Sequence, residues 1–253
     1  MLINTSGLIL REVNYRDSDK MLTILTRDRG KISASCAGAR SRRSNMRAGT
    51  QLFAYSDFTL FEGKGRYSVN EAEPVELFMG VRNDISRLSL ASYMAEVLEA
   101  IADEEEPDAG LLSTGLNCLY ALSVGKKNEK LIKAVFELRV AAHAGFAPEL
   151  TACAVCGDTG PERPCLDISG GTLVCERCAP AESVRLSRES LAAMRYVLGA
   201  EEKRILSFSL QGTALVEFSS AAERYLLHRL ERGFRTLDFY RAVSEEQTDG
   251  GSG

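Results

Sequence analysis

Through the first 80 residues apolar and polar positions tend to alternate. From about residue 83 apolar residues recur every three or four positions instead. A period near two is the mark of strands and one near 3.6 the mark of helices, so the chain is expected to change from β to α there. In the β part, LINTSGLILREVNY, MLTILTR, KISASCAG, QLFAYSDFTLFEG and YSVNEAEPVE read as five short strands. The turn Asp28-Arg29-Gly30 joins the second to the third as a hairpin, and EGKGR joins the last two. Five short strands with no helix between them predict a small closed or nearly closed barrel.

In the α part, NDISRLSLASYMAEVLEAIADEEE carries Ile85, Leu88, Leu90, Met94, Val97, Leu98 and Ile101 roughly three to four apart, which reads as an amphipathic helix with Asn83 or Asp84 as its cap. Pro107-Asp108 opens a second helix to about Val124. KNEKLIKAVFELRVAAHAG is a third, stopped by Gly145. Ser187 caps LSRESLAAMRYVLGA, a longer helix follows from about Thr213 to Arg232, and FRTLDFYRAV makes a short one. The expected division is a barrel over 1–80, helices over 81–149 and 181–243, a cysteine module inserted at 150–180, and a polar, disordered tail at 244–253.

The composition is ordinary for a globular chain, with 45% apolar and 26% charged residues among 253. No stretch approaches 18 apolar residues, and the N-terminus lacks the basic and apolar regions of a secretory signal, so a cytoplasmic protein is expected. Charge changes the picture more. The chain is acidic overall, at −4, yet residues 1–80 hold 12 Lys/Arg against 9 Asp/Glu. GARSRRSNMRAG (38–49) packs four arginines and no acid into twelve residues.

Five of the seven cysteines fall between 153 and 178. Cys153-x2-Cys156 and Cys175-x2-Cys178 are separated by eighteen residues, the spacing of a zinc ribbon. Each CxxC turn puts two thiolates on one side of a knuckle, and LDISGGTLV is a hairpin, turning at Gly170-Gly171, that holds the two knuckles together. Four sulfur ligands leave no open position, which makes one Zn²⁺ structural rather than catalytic. Four reduced, buried thiols or a redox CxxC pair are the alternatives. Cys165 has no CxxC partner and reads as a small core residue.

Catalytic constellations are missing. His143 and His228 sit inside helical patterns, and no H-x-E precedes the cysteines as a zinc deaminase requires. Neither a P-loop nor a G-x-S-x-G is present. Glu104-Glu105-Glu106 reads as a solvated helix end. The chain is not expected to be an enzyme.

The arginine loop reads as a phosphate-tracking element. Arginine is always charged and forks onto phosphate, and Ser41, Ser44 and Asn45 add neutral donors. Arg40, Arg42, Arg43 and Arg47 are the candidate contacts, and Lys31, Lys64 and Arg66 in turns of the same barrel widen the patch. The strands beside the loop carry Phe53, Tyr55, Phe58, Phe61 and Tyr67. One strand face must be core, so only some of these rings can stack on bases. Tyr55 and Tyr67 are the better candidates because a hydroxyl suits a wet site.

YRDSDKMLTILTRDRGKIS (15–33), AGARSRRS (37–44), CAVC…CERC and FRTLDFY (234–240) together resemble the bacterial RecO family of recombination mediators. The resemblance covers nearly the whole chain. It implies a five-stranded OB-fold followed by an α-helical domain with an inserted four-cysteine zinc module. It also implies binding of single- and double-stranded DNA, strand annealing, and recombinase loading in the RecF-type repair pathway with RecR and the C-terminal tail of the single-strand-binding protein. No membrane and no nucleotide cofactor are implied, and the location is the cytoplasm, on the nucleoid during repair. On this resemblance Arg40, Arg42 and Arg43 match the family's DNA-binding loop, and Arg47 lies just beyond the motif. Two further readings of the residues stand beside it: a protein-binding adaptor that uses its helical half and zinc ribbon, with the basic loop docking acidic protein tails, and an RNA-binding barrel with a zinc ribbon.

Overall fold

The computed structural model of the chain describes residues 1–41 and 45–249. Five strands, β1 (Leu2–Tyr15), β2 (Asp19–Thr26), β3 (Gly30–Cys36), β4 (Tyr55–Gly63) and β5 (Arg66–Glu76), close a barrel in the order β1-β2-β3-β5-β4. This is the expected OB-fold. β1 is long enough to serve two neighbours. Leu2–Leu8 pair with β4 and Gly7–Tyr15 pair with β2, with a register shift between Ile9 and Arg11. Closure rests on a short parallel contact, Ala34 with Tyr67 and Ser35 with Ser68. Inside, Ile9, Leu22, Ile24, Ile32, Phe58 and Leu60 form the barrel's core.

The hairpin turn between β2 and β3 needs its glycine. Gly30 has φ 59°, and a Cβ there would strike the backbone of Glu106. That near contact belongs to the acidic run. The first helix, α1 (Ile85–Ile101), ends before it, and the run leaves the helix altogether. Lys31 N–H donates to the Asp103 carbonyl (3.0 Å), Glu105 N–H donates to the Lys31 carbonyl, and Glu105 holds φ 61°. The segment expected as a helix end is an extended strap along the edge that β3 leaves open where β5 diverges from it.

The caps expected at Asp84 and Ser187 are present, and Asp108 and Asn128 cap two more helices. The Asp84 carboxylate accepts from Arg87 N–H, and Asp108 from Leu111 N–H at the start of α2 (Ala109–Val124). The Asn128 side chain accepts from Lys130 N–H at the start of α3 (Glu129–His143). Ser187 Oγ accepts from Ser190 N–H at α4 (Arg188–Gly199). They are followed by α5 (Gly212–Leu230) and α6 (Arg235–Asp249). α6 continues beyond Val243 into residues expected as disordered tail, helped by Ser244 Oγ donating to the Tyr240 carbonyl.

The chain divides into two compact units, one holding Met1–Val124 with the segment from Phe234 onward, the other Gly125–Gly233. The helices of 81–149 and 181–243 are therefore apportioned between them. In the first unit α6 packs on α1, with Tyr93 edge-on to Phe234 (5.7 Å between centroids) and the Glu96 carboxylate accepting from Thr236. In the second unit α3, α4 and α5 pack together with the cysteine module. Lys133, 3% exposed, lies between α3 and α5 with its Nζ 2.8 Å from Glu137 and 2.7 Å from Glu223. Arg139 closes the end of α4 by donating to the carbonyls of Val197, Leu198 and Ala200, and pairs with Glu202. No helix among the described residues is long and apolar enough to cross a membrane.

Candidate metal centre and nucleic-acid interface

Between Leu150 and Pro180 the second unit builds its cysteine module on two antiparallel strands, β6 (Pro164–Asp167) and β7 (Thr172–Cys175). A third, β8 (Val184–Arg185), which periodicity did not reveal, pairs with β6. The β6–β7 turn falls at Gly170-Gly171 as expected. Gly171 has φ 66°, and a Cβ there would strike the Arg229 guanidinium and the Tyr225 hydroxyl of α5. Arg229 in turn donates to the Ser169 carbonyl. From α4, Arg195 donates to the carbonyls of Leu150, Thr151 and Thr159. The module is thus fastened to two helices by arginine-to-backbone bonds.

The first knuckle is closed by Gly157 N–H donating to the Cys153 carbonyl, and the second by Cys178 N–H donating to the Cys175 carbonyl, both 2.9 Å. These turns bring the sulfurs of Cys153, Cys156, Cys175 and Cys178 within 4.8 Å of one another. The Cys156 and Cys175 sulfurs are 3.8 Å apart. A tetrahedral metal with sulfur ligands at about 2.3 Å has sulfur–sulfur edges of about 3.8 Å, so the four residues can hold a metal ion with little movement. The backbone prepares the charge. Burial raises the Cys153 thiol, but N–H donors of Cys156, Cys175 and Val155 outweigh it and bring the thiol down to about 6. Cys178, next to the sulfur of Cys175 and partly buried, is pushed up to about 12. Cys165 stands on β6 opposite Val174 and packs in the module's small core. Burial raises its thiol.

On the barrel, the arginine loop springs from the end of β3 and is tied down at its start. Gly38 N–H donates to the Asp19 carboxylate (2.9 Å), Arg40 N–H to the Ser18 carbonyl (3.0 Å), and the Arg40 guanidinium to the Asp17 carbonyl (3.1 Å). Arg40 and Arg47 are exposed, while Arg42 and Arg43 lie outside the described residues. Beside the loop is a groove of about 660 Å³ between the β1–β2 turn, the outer face of β3 and the β4–β5 turn. This is the position from which OB-folds bind oligonucleotides. A second groove, of about 580 Å³ over β1, β4 and β5, is lined by Asp28, Asp57, Glu71 and Glu73 with Arg27, a surface that repels phosphate.

The remaining expected contacts separate. Arg66 lines the first groove, and Lys64 stands exposed in the same turn. Tyr67 also lines it, but its ring is 8% exposed and belongs to the barrel core. Burial, then the charges of Glu62 and Glu105, raise its hydroxyl above the usual tyrosine value. Lys31 is committed elsewhere, its Nζ donating to the Glu99 carbonyl of α1 (2.9 Å). Tyr55 is half-buried at the start of β4, the end of that strand away from the turn. Of the other rings, Phe53 and Phe58 are core, and Phe61 is exposed on the barrel exterior. Sequence reasoning missed Tyr15 and Arg16 at the β1–β2 turn. Tyr15 is 46% exposed, and the Arg16 guanidinium lies 5.0 Å from its ring centroid. The signal for them was the run YRDSD, which closes β1 without an apolar residue to bury.

Comparison with known proteins agrees in both halves of the chain. Residues 1–78 match the model for the Recombination protein O N terminal and residues 82–238 that for the Recombination protein O C terminal. DNA repair protein RecO of Acetivibrio thermocellus is 33% identical over 243 residues, 95% of this chain and 97% of that protein. The protein of the same name from Alkaliphilus metalliredigens is 31% identical over 96% of this chain and its own full length. That from Symbiobacterium thermophilum is 30% identical over 94% and 96%.

Proposed function

The chain belongs to the RecO family of DNA repair proteins, and from that premise we propose that it is a non-catalytic recombination mediator that binds single- and double-stranded DNA through its arginine loop and anneals complementary strands. The observation that carries the reading is the placement of exposed Arg40 and Arg47 on a loop fastened beside the OB-fold groove. Guanidinium groups held at the rim can follow phosphates while the barrel face stays free. We assign the same phosphate-binding role to Arg42 and Arg43, which lie between Arg40 and Arg47 in sequence, and to Lys64 and Arg66 of the β4–β5 turn. With RecR and the tail of the single-strand-binding protein as partners, the protein delivers strands for recombinase loading in the cytoplasm, on the nucleoid during repair.

In the four-cysteine site we place one Zn²⁺, held by Cys153, Cys156, Cys175 and Cys178. The ion supplies cross-linking and no chemistry, since all four positions are sulfur. It holds the two knuckles on the β6–β7 hairpin, and Arg195 and Arg229 carry that order to α4 and α5.

The test is fluorescence anisotropy of a labelled 30-base single strand across a salt series. For Arg40→Ala/Arg42→Ala/Arg43→Ala, affinity should fall irrespective of base sequence. The slope of log K against log salt should flatten by about 0.7 for each lost phosphate contact. An unchanged slope in the triple variant would refute the assignment.

A further inference from the structure

We infer that the groove beside the arginine loop is an unpaired-base site, with Tyr15 as the stacking platform, so that this face binds bases while the loop binds phosphates. The inference rests on the nucleic-acid reading above and adds to it the part of the strand that each surface takes.

Four observations support it. The groove, at about 660 Å³, lies within the ~300–1,000 Å³ range of small-ligand sites. Tyr15 presents a half-exposed ring in it, and Met21 and Ala37 give it apolar lining. An aromatic face left in water at the mouth of a groove is the arrangement on which single strands stack, whatever their sequence.

Arg16 positions that ring. Its backbone is held at φ 54°, a conformation that an arginine adopts only under constraint, and its guanidinium covers one side of Tyr15. One ring face is thereby backed by a cation, leaving the other for a base.

The two ends of the groove carry opposite charge. Arg16 and Arg66 stand at exposed turns and outnumber the one carboxylate there, Asp19, which accepts from Gly38 N–H, whereas Tyr67 is acted on by Glu62 and by Glu105 of the strap, with Arg29 a smaller opposing charge. A phosphate is favoured at the first and repelled at the second. A neutral base suffers no such repulsion, so a strand enters with its backbone along the arginines and its base toward Tyr67.

Finally, Ser33 and Ser35 line the outer face of β3 within the groove, where base edges would lie. The Ser35 hydroxyl donates to the Tyr67 carbonyl and so offers an acceptor, while the exposed Ser33 hydroxyl can donate or accept, which tolerates all four bases. A base inside a duplex is already stacked and paired and must be extruded before it can enter. Duplex DNA is therefore left to the arginine loop alone.

The experiment compares a labelled 30-base single strand with a strand of the same length and backbone that lacks bases, using the full-length protein. Wild type should bind the base-bearing strand more tightly. Tyr15→Ala should reduce the ratio of the two affinities toward one, by about 5- to 150-fold if one base is stacked. The salt slope should stay where it was, because no phosphate contact is lost. Tyr15→Phe, which keeps the ring, should keep the ratio.

Equal losses on both strands, or a wild type indifferent to the missing bases, would overturn the inference. The second of these needs no variant to fold. If neither strand binds wild type, the nucleic-acid reading fails and this inference with it. If the arginine variants flatten the salt slope while Tyr15→Ala leaves the ratio intact, the mediator reading stands and the base site does not.

Discussion

Lys133 sits where a cation is hardest to remove. It is 3% exposed, its Nζ is 2.8 and 3.0 Å from the two oxygens of Glu137 and 2.7 Å from Glu223, and Glu137 is itself fully buried. The three charges lie between α3 and α5, which pack along each other in the second unit. Lys133→Met keeps the length and the apolar stem and deletes only the charge. The buried Glu137 carboxylate and the one-fifth-exposed Glu223 carboxylate then face each other across the helix interface with their shared cation gone. Loss of one partner from a buried ion pair destabilises by about 3–5 kcal/mol, most of it the cost of the charge left behind.

With a urea dependence of about 2 kcal/mol per molar, the midpoint for the second unit should drop by roughly 1.5–2.5 M at unchanged slope. Glu137→Gln is the contrasting perturbation. It leaves Lys133 its contact with Glu223 and an amide oxygen to donate to, so its effect should be only about 1 kcal/mol. Urea unfolding followed by far-UV circular dichroism reads both. A Lys133→Met protein within about 0.5 kcal/mol of wild type would refute the reasoning, because the interface would then have to admit water to the carboxylates.

Two further outcomes follow from the same kind of accounting. The protein should carry one zinc per chain. Cys153→Ala or a strong chelator should remove it and abolish amide-exchange protection in β6 and β7 while the barrel's protection persists, which metal analysis and hydrogen exchange together would check. The second concerns Glu217 of α5, whose Oε2 accepts from Ser187 N–H (2.7 Å) and Ser190 Oγ (2.8 Å) at the start of α4. Burial raises this carboxyl, but the bonds from Ser187 and Ser190 outweigh it and the net direction is down. A lowered carboxylate stabilises fully above its unfolded value, near pH 4.3, and that stability is lost as pH falls through the folded value. The difference in stability between wild type and Glu217→Gln should therefore be full at neutral pH and shrink below about pH 4, as thermal melts across pH would show.

The local features of this protein were legible in its residues because their causes are local. Alternation over 2–76 is enough to expose one face of each strand. The carboxylate at 84 and the hydroxyl at 187 each cap a donor three residues away. Two CxxC pairs across one hairpin converge through turns of their own. Which polar side chains share a surface is a different matter, settled by closure and packing between residues far apart in sequence. Lys31 looked like a free cation in a turn, and only α1, arriving 68 residues later, offers the Glu99 carbonyl that holds it. Tyr67 and Tyr15 are both strand tyrosines, yet the parallel pairing of β3 with β5 draws the first into the core. The second stays at the turn where β1 has nothing left to bury. The run 104–106 continues a helical pattern in sequence, but at the open edge of β3 its backbone pairs with Lys31 instead. The residues thus determined the strands, the caps and the four sulfurs, whose interactions span a few positions. Only the folded chain decided which arginines and rings meet at one groove, because that depends on how the barrel closes.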